Sequence, residues 1–207
     1  MPTPNSAAPE TPSTEPLNPS SIHSQGRKAK RLLEDARARI ATALSAFANE
    51  VMFVASATEA NNMVLRGFAP THRLVVSAVE HASISKTGGL LGAATVPVDA
   101  NGVVDLAALE EMLTAFASSA VTPSNDGGPL AEVEKRGPVA STGRQALISV
   151  MLANNETGVI QPMAEIARIA HAHGALVHCD AVQALGKIPL DWGLLGVDML
   201  TISGHKA

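Results

Sequence analysis

From Val51 onward the chain repeats one pattern: a short apolar run with little polar alternation, then a segment whose apolar residues fall at helical spacing. The runs Val51–Val54, Leu74–Val79, Thr95–Val98, Leu147–Leu152, Leu176–His178 and Met199–Ile202 predict strands. Glu59–Arg66, Leu106–Phe116 and Met163–His173 predict helices, the last opened by Pro162 and closed by Gly174. Strands that are apolar on both faces and separated by helices belong to a mostly parallel sheet covered on both sides, which is the α/β class. Ahead of this rhythm, Ala29, Leu32, Leu33, Ala36, Ile40, Ala43, Leu44 and Phe47 give one long amphipathic helix over Arg27–Phe47.

Two stretches break the pattern. The first sixteen residues, MPTPNSAAPETPSTEP, lack a basic start and an apolar core segment, so they read as a disordered lead-in and not as a targeting sequence. Residues 118–142 contain PSNDGGP and RGPVASTG, and read as a surface insertion between a helix and a strand, because the rhythm resumes at Leu147. Residues 18–207 are therefore expected to form part of one domain.

Composition excludes several function classes. The net charge of −4 comes without a long basic run, and only 2% of residues are aromatic, so neither nucleic acid nor an anionic membrane is an expected partner. No apolar run approaches the roughly 20 residues of a membrane helix. The one cysteine, Cys179, allows no internal disulfide and fits a reducing cytoplasm. His171, His173 and His178 lie near that thiol without CxxC or HExxH spacing, so no metal site is expected. No GxGxxG follows a predicted strand, which disfavours a dinucleotide oxidoreductase.

Chemistry-bearing residues gather where the predicted strands end. Ser56-Ala57-Thr58-Glu59 matches a capping box at a strand-to-helix junction, where free N–H groups can cradle phosphate; alone, it more often marks a capped helix that binds nothing. Asp180 follows ALVH, at the carboxyl end of a buried strand, either as a ligand group or as the N-cap of AVQAL; Gln183 is one helical turn further. Ser203, His205 and Lys206 follow DMLTI, and a lysine beside a phosphate site serves as a point charge or as a Schiff-base nucleophile. Asn154-Asn155-Glu156-Thr157-Gly158 suits a turn, and His81, after Glu80, suits a capping role.

The blocks NPSSIHSQGR (18–27), ATEANN (57–62), EHAS (80–83), ANNETGVIQP (153–162), HCDAVQALGKIP (178–189) and VDMLTISGHK (197–206) together resemble, in order and spacing, the cysteine desulfurases of the class V aminotransferase group. The resemblance implies the large domain of an aspartate-aminotransferase-like pyridoxal-phosphate enzyme. It implies that Lys206 holds pyridoxal 5'-phosphate through a Schiff base and shuttles protons, that Asp180 pairs with the pyridinium nitrogen, and that His81 stacks on the ring. Asn155 and Gln183 would donate to the phenolic oxygen, while Thr58, the backbone near Ala57, Ser203 and His205 would hold the phosphate.

The reaction implied converts L-cysteine to L-alanine and leaves a persulfide for an acceptor such as an iron–sulfur scaffold or a tRNA-thiolation protein. The family works as a homodimer. Its catalytic cysteine lies on a loop well after the lysine, so the expectation here is a truncated chain that ends before that loop, with Cys179 a buried core residue. Ser56 stands where the family usually has glycine. Selenocysteine lyase, cysteine sulfinate desulfinase and a non-catalytic fragment remain as alternatives.

Overall fold

The computed structural model describes residues 18–118 and 145–206. The lead-in expected over residues 1–17, and the insertion beyond Ser118, lie outside the described residues. The chain forms two compact units that meet in sequence between Met52 and Phe53.

The first unit carries α1 (Ser24–Ala43), followed by a single 3-10 turn over Ala48–Glu50. His23 caps α1, its Nδ1 accepting from Gly26 N at 3.2 Å. Position 26 has no room for a side chain, because a Cβ there would lie 2.3 Å from the Ser21 carbonyl oxygen. Helical spacing in the sequence extends to Phe47, but the helix ends earlier, at Ala43, and at Ser45 a φ of 58° leaves the right-handed region.

Among its described residues the second unit is built on five strands: β1 (Arg73–Ser77), β2 (Ala94–Val96), β3 (Ala146–Met151), β4 (Leu176–Asp180) and β5 (Met199–Thr201). All four pairings are parallel, in the order β2-β1-β3-β4-β5. Four longer helices accompany them: α2 (Ala57–Phe68), α3 (Ala82–Leu90), α4 (Leu106–Ser118) and α5 (Met163–Ala172), with a short α6 (Trp192–Leu195) before β5.

The two sheet faces separate by residue parity, as strand geometry requires. Leu74, Val76 and Leu147 pack with Leu65 of α2 and Ile84 of α3. The alternate residues Val75, Ile148, Val150, Val177 and Cys179 pack with Leu109 and Leu113 of α4 and with Ile166 and Ala170 of α5. Burial on both faces explains why these strands carry no polar alternation. The chain runs from β1 outward to β2 and then returns past β1 to β3, so the direction of winding reverses between β1 and β3. In open parallel sheets such a reversal leaves a crevice outside the carboxyl ends of the strands.

Three sequence expectations are corrected. Val51–Val54 forms no strand, and Met52 and Phe53 are exposed. The AVQAL segment is a run of turns over 182–187, not a helix. Conversely, α3 was not expected from ASISKTGGL, whose two glycines weaken a helical pattern. One of them, Gly88, has a structural use: a Cβ there would sit 3.2 Å from a Val76 methyl, so glycine lets α3 lie close on β1.

Candidate active site

A cavity of about 260 Å³ lies at the carboxyl ends of the strands, and almost every residue singled out in the sequence lines it. Ser56, Ala57 and Thr58 contribute from the start of α2. The Ser56 hydroxyl caps that helix by accepting from Glu59 N at 3.1 Å. The return bond of the expected capping box is displaced by one residue: Glu59 Oε2 accepts from Ala55 N at 2.7 Å. Thr58 lines the cavity from the first helical turn.

Asp180 ends β4 and is buried at 5% exposure. Its Oδ1 accepts from Val182 N at 3.0 Å and its Oδ2 from Asn61 Nδ2 at 2.8 Å. Two donors therefore aim the carboxylate, and the Val182 bond belongs to a turn, replacing the helix cap considered for Asp180. Gln183 reaches the cavity from that turn, and its Oε1 accepts from Lys187 Nζ at 2.8 Å, leaving its side-chain N–H groups as donors.

His81 both caps α3 and lines the cavity, its Nδ1 accepting from Ser83 N at 3.1 Å. Asn154 is the turn-forming member of its pair: Oδ1 accepts from Glu156 N and Thr157 N, each at 2.9 Å, and Nδ2 donates to Val79 O at 3.0 Å. Asn155, thereby presented, lines the cavity. His205 and Lys206 line it from a 3-10 turn after β5. Ser203 is the exception: it is buried, is not part of the wall, and bonds His205 Nδ1 at 2.8 Å.

Sequence reasoning missed Asn61, Ser83, Met151 and Val182, which also line the cavity. Asn61 was detectable, since it lies on the stripe 61-64-65-68 of α2 as a polar residue among apolar ones.

Below the cavity lie buried polar groups. Glu80 Oε1 accepts from Met151 N at 2.9 Å and from Ser77 Oγ, while Oε2 is shielded from water without a partner among the described residues. Burial pushes the Glu80 carboxyl up to about 8. His178 is fully buried between hydroxyls on the neighbouring strands, with Ser149 Oγ at 2.9 Å from Nδ1 and Thr201 Oγ1 at 2.9 Å from Nε2. Burial lowers it to about 4, so it is neutral at physiological pH. Cys179 is also buried, and burial, with the Asp180 charge second, raises its thiol well above the ordinary range.

The Aminotransferase class-V family model matches residues 13–134 and 121–207. The chain belongs to the class V aminotransferases. Within this family of pyridoxal-phosphate enzymes, its similarity falls on the cysteine desulfurases. An IscS-like cysteine desulfurase of Mycobacterium tuberculosis is 36% identical over 203 residues, covering 91% of this chain and 45% of the relative. The human cysteine desulfurase is 34% identical, over 91% of this chain and 38% of its own length. A NifS-like protein from Rickettsia africae has the same fold, with a TM-score of 0.76 and 36% identity, covering 93% of this chain and 48% of that one. This class V aminotransferase chain thus spans less than half the length of these relatives. Among its described residues no helix is long and apolar enough to cross a membrane.

Proposed function

We propose that this chain carries the cofactor-binding part of a pyridoxal-phosphate-dependent cysteine desulfurase, a transferase that takes L-cysteine to L-alanine and hands on its sulfur. The observation that carries the reading is the gathering, in one cavity, of the Lys206 amine, the Asp180 carboxylate, the Asn155 and Gln183 amides, the His81 imidazole and the first turn of α2. On this reading residues 18–207 are part of the large domain of the enzyme.

That set suits the chemistry of pyridoxal phosphate. A buried carboxylate aimed by two donors is matched to a protonated ring nitrogen. The start of α2, with the Ser56 and Thr58 hydroxyls and His205 nearby, suits a phosphate dianion. Ser203 acts through His205 by fixing its ring. Side-chain amides of Asn155 and Gln183 can donate to a phenolic oxygen, and the imidazole of His81 can face the ring. Lys206 supplies the amine that holds the aldehyde and later moves a proton at the substrate carbon. When bound, the group serves as an electron sink for the substrate's bonding electrons.

A thiolate attacks the sulfur of cysteine as the C–S bond breaks. The electron pair of that bond stays with the carbon, which takes up a proton to become alanine, and the sulfur remains on the thiolate as a persulfide. Cys179 is unsuited to that task, because it is buried and its thiol stays protonated. The accepting thiolate belongs elsewhere in the whole enzyme. By the same family resemblance, that enzyme works as a cytoplasmic homodimer and passes sulfur to an iron–sulfur scaffold or tRNA-thiolation protein. A solved relative titled as SspA in complex with cysteine, 29% identical with a TM-score of 0.71, supports cysteine as the substrate.

Titration with pyridoxal phosphate tests the cofactor reading. The chain is expected to develop the visible absorbance of a lysine-linked cofactor, and Lys206→Ala to lack it. Equal absorbance in both would overturn the assignment of Lys206.

A further inference from the structure

Asn61, Ser83, His81 and Asp180 all line the cavity, and one hydrogen-bonded chain joins them. Asn61 is 1% exposed. Its Nδ2 donates twice, to Asp180 Oδ2 at 2.8 Å and to Ser83 Oγ at 2.9 Å. The direction of this amide is fixed by charge: turned over, it would set Oδ1 against a carboxylate oxygen, two acceptors in contact. Ser83 Oγ, already accepting from Asn61, sends its own proton to His81 Nδ1, 2.8 Å away. The Ser83 backbone N–H reaches the same nitrogen. A ring nitrogen that receives two donors carries no proton, so the imidazole proton sits on Nε2.

A second observation indicates that Asn61 serves the site and not the packing. Its Oδ1 is buried with no partner among the described residues, and an unmet buried acceptor is costly. The neighbouring positions of the same stripe, Val64, Leu65 and Phe68, are apolar and belong to the core. Packing alone favours an apolar residue at 61.

We propose that Asn61 is a positioning residue of the candidate site: one amide holds Asp180 in place and, through Ser83, orients the His81 ring with Nδ1 as acceptor and Nε2 as the donor. The inference concerns side chains of this chain alone, while its catalytic meaning rests on the pyridoxal-phosphate reading above.

The test uses the 207-residue chain, labelled with 15N and free of cofactor, with the His81 ring nitrogens identified by their loss in His81→Gln. Asn61→Leu, similar in size but without donors, is expected to move the His81 Nδ1 resonance although residue 61 makes no bond to that ring. Ser83→Ala is expected to move it too, and the double variant no further than Ser83→Ala alone, as a relay requires. If Asn61→Leu leaves His81 at its wild-type shift while Ser83→Ala moves it, the proposal is overturned.

Wild-type protein gives a check that does not depend on variants folding. The Asn61 side-chain N–H protons are expected to exchange with solvent about 100-fold more slowly than those of exposed Asn49. Equal exchange would overturn the proposal. These readouts need no cofactor, so they fail or succeed independently of the cofactor reading. With pyridoxal phosphate added, Asn61→Leu is expected to bind about tenfold more weakly, and unchanged binding would refute the positioning role.

Discussion

The side-chain amide of Asn61 donates to the Asp180 carboxylate across 2.8 Å, joining α2 to the end of β4 over 119 residues of sequence. A local helix and a distant strand are thereby locked at the point where, on the proposed reading, a cofactor ring nitrogen would be met.

Asp180→Asn tests the carboxylate itself. The variant keeps an oxygen for Val182 N but loses the charge, and its new amide N–H groups have no use beside Asn61 Nδ2. A hydrogen bond to a charged group contributes about 1.5–3 kcal/mol. Pyridoxal phosphate binding, followed by fluorescence or absorbance titration, is expected to weaken by about 10- to 100-fold, with the fold unchanged by circular dichroism.

His178 sets an acid limit on stability. Its folded value of about 4 lies below the ordinary 6.5, so between these the unfolded chain binds more protons. The contribution of His178 is present above about pH 6.5 and is lost as pH falls through about 4. The loss amounts to up to about 3 kcal/mol. Urea denaturation at a series of pH values, compared with His178→Asn, reads this as a slope that the variant lacks.

Glu80 acts in the opposite sense. Its folded value of about 8 lies above the ordinary 4.5, so its contribution is full below pH 4.5 and is lost as pH rises through about 8. Glu80→Gln keeps an oxygen for Met151 N and Ser77 Oγ without titrating. The variant is expected to match wild type near pH 4.5 and to exceed it in stability above pH 8. Between 4.5 and 6.5 the Glu80 and His178 slopes oppose each other in wild type, so each is measured as a difference from its own variant.

Much of this site was legible before the fold. Parallel strands deliver their carboxyl ends to one edge, so Asp180, Asn155 and Lys206, each placed after a predicted strand, had to lie near one another. What stayed hidden depends on contacts that no local pattern encodes. VMFV has the composition of a strand, yet it forms none. The helix α3 draws its stability from the burial of Ile84 and Thr87 and from the His81 cap, not from the propensity of ASISKTGGL. Ser83 and Asn61 gain significance only because α2 and α3 pack side by side over the end of β4.

On the proposed reading Lys206 is the amine that holds the cofactor. Incubation with pyridoxal phosphate, borohydride reduction and peptide mass mapping identify that amine. A single reduced pyridoxyl adduct is expected on the peptide containing Lys206, absent in Lys206→Ala. An adduct confined to other lysines, such as Lys86 or Lys187, or persisting in Lys206→Ala, would contradict it.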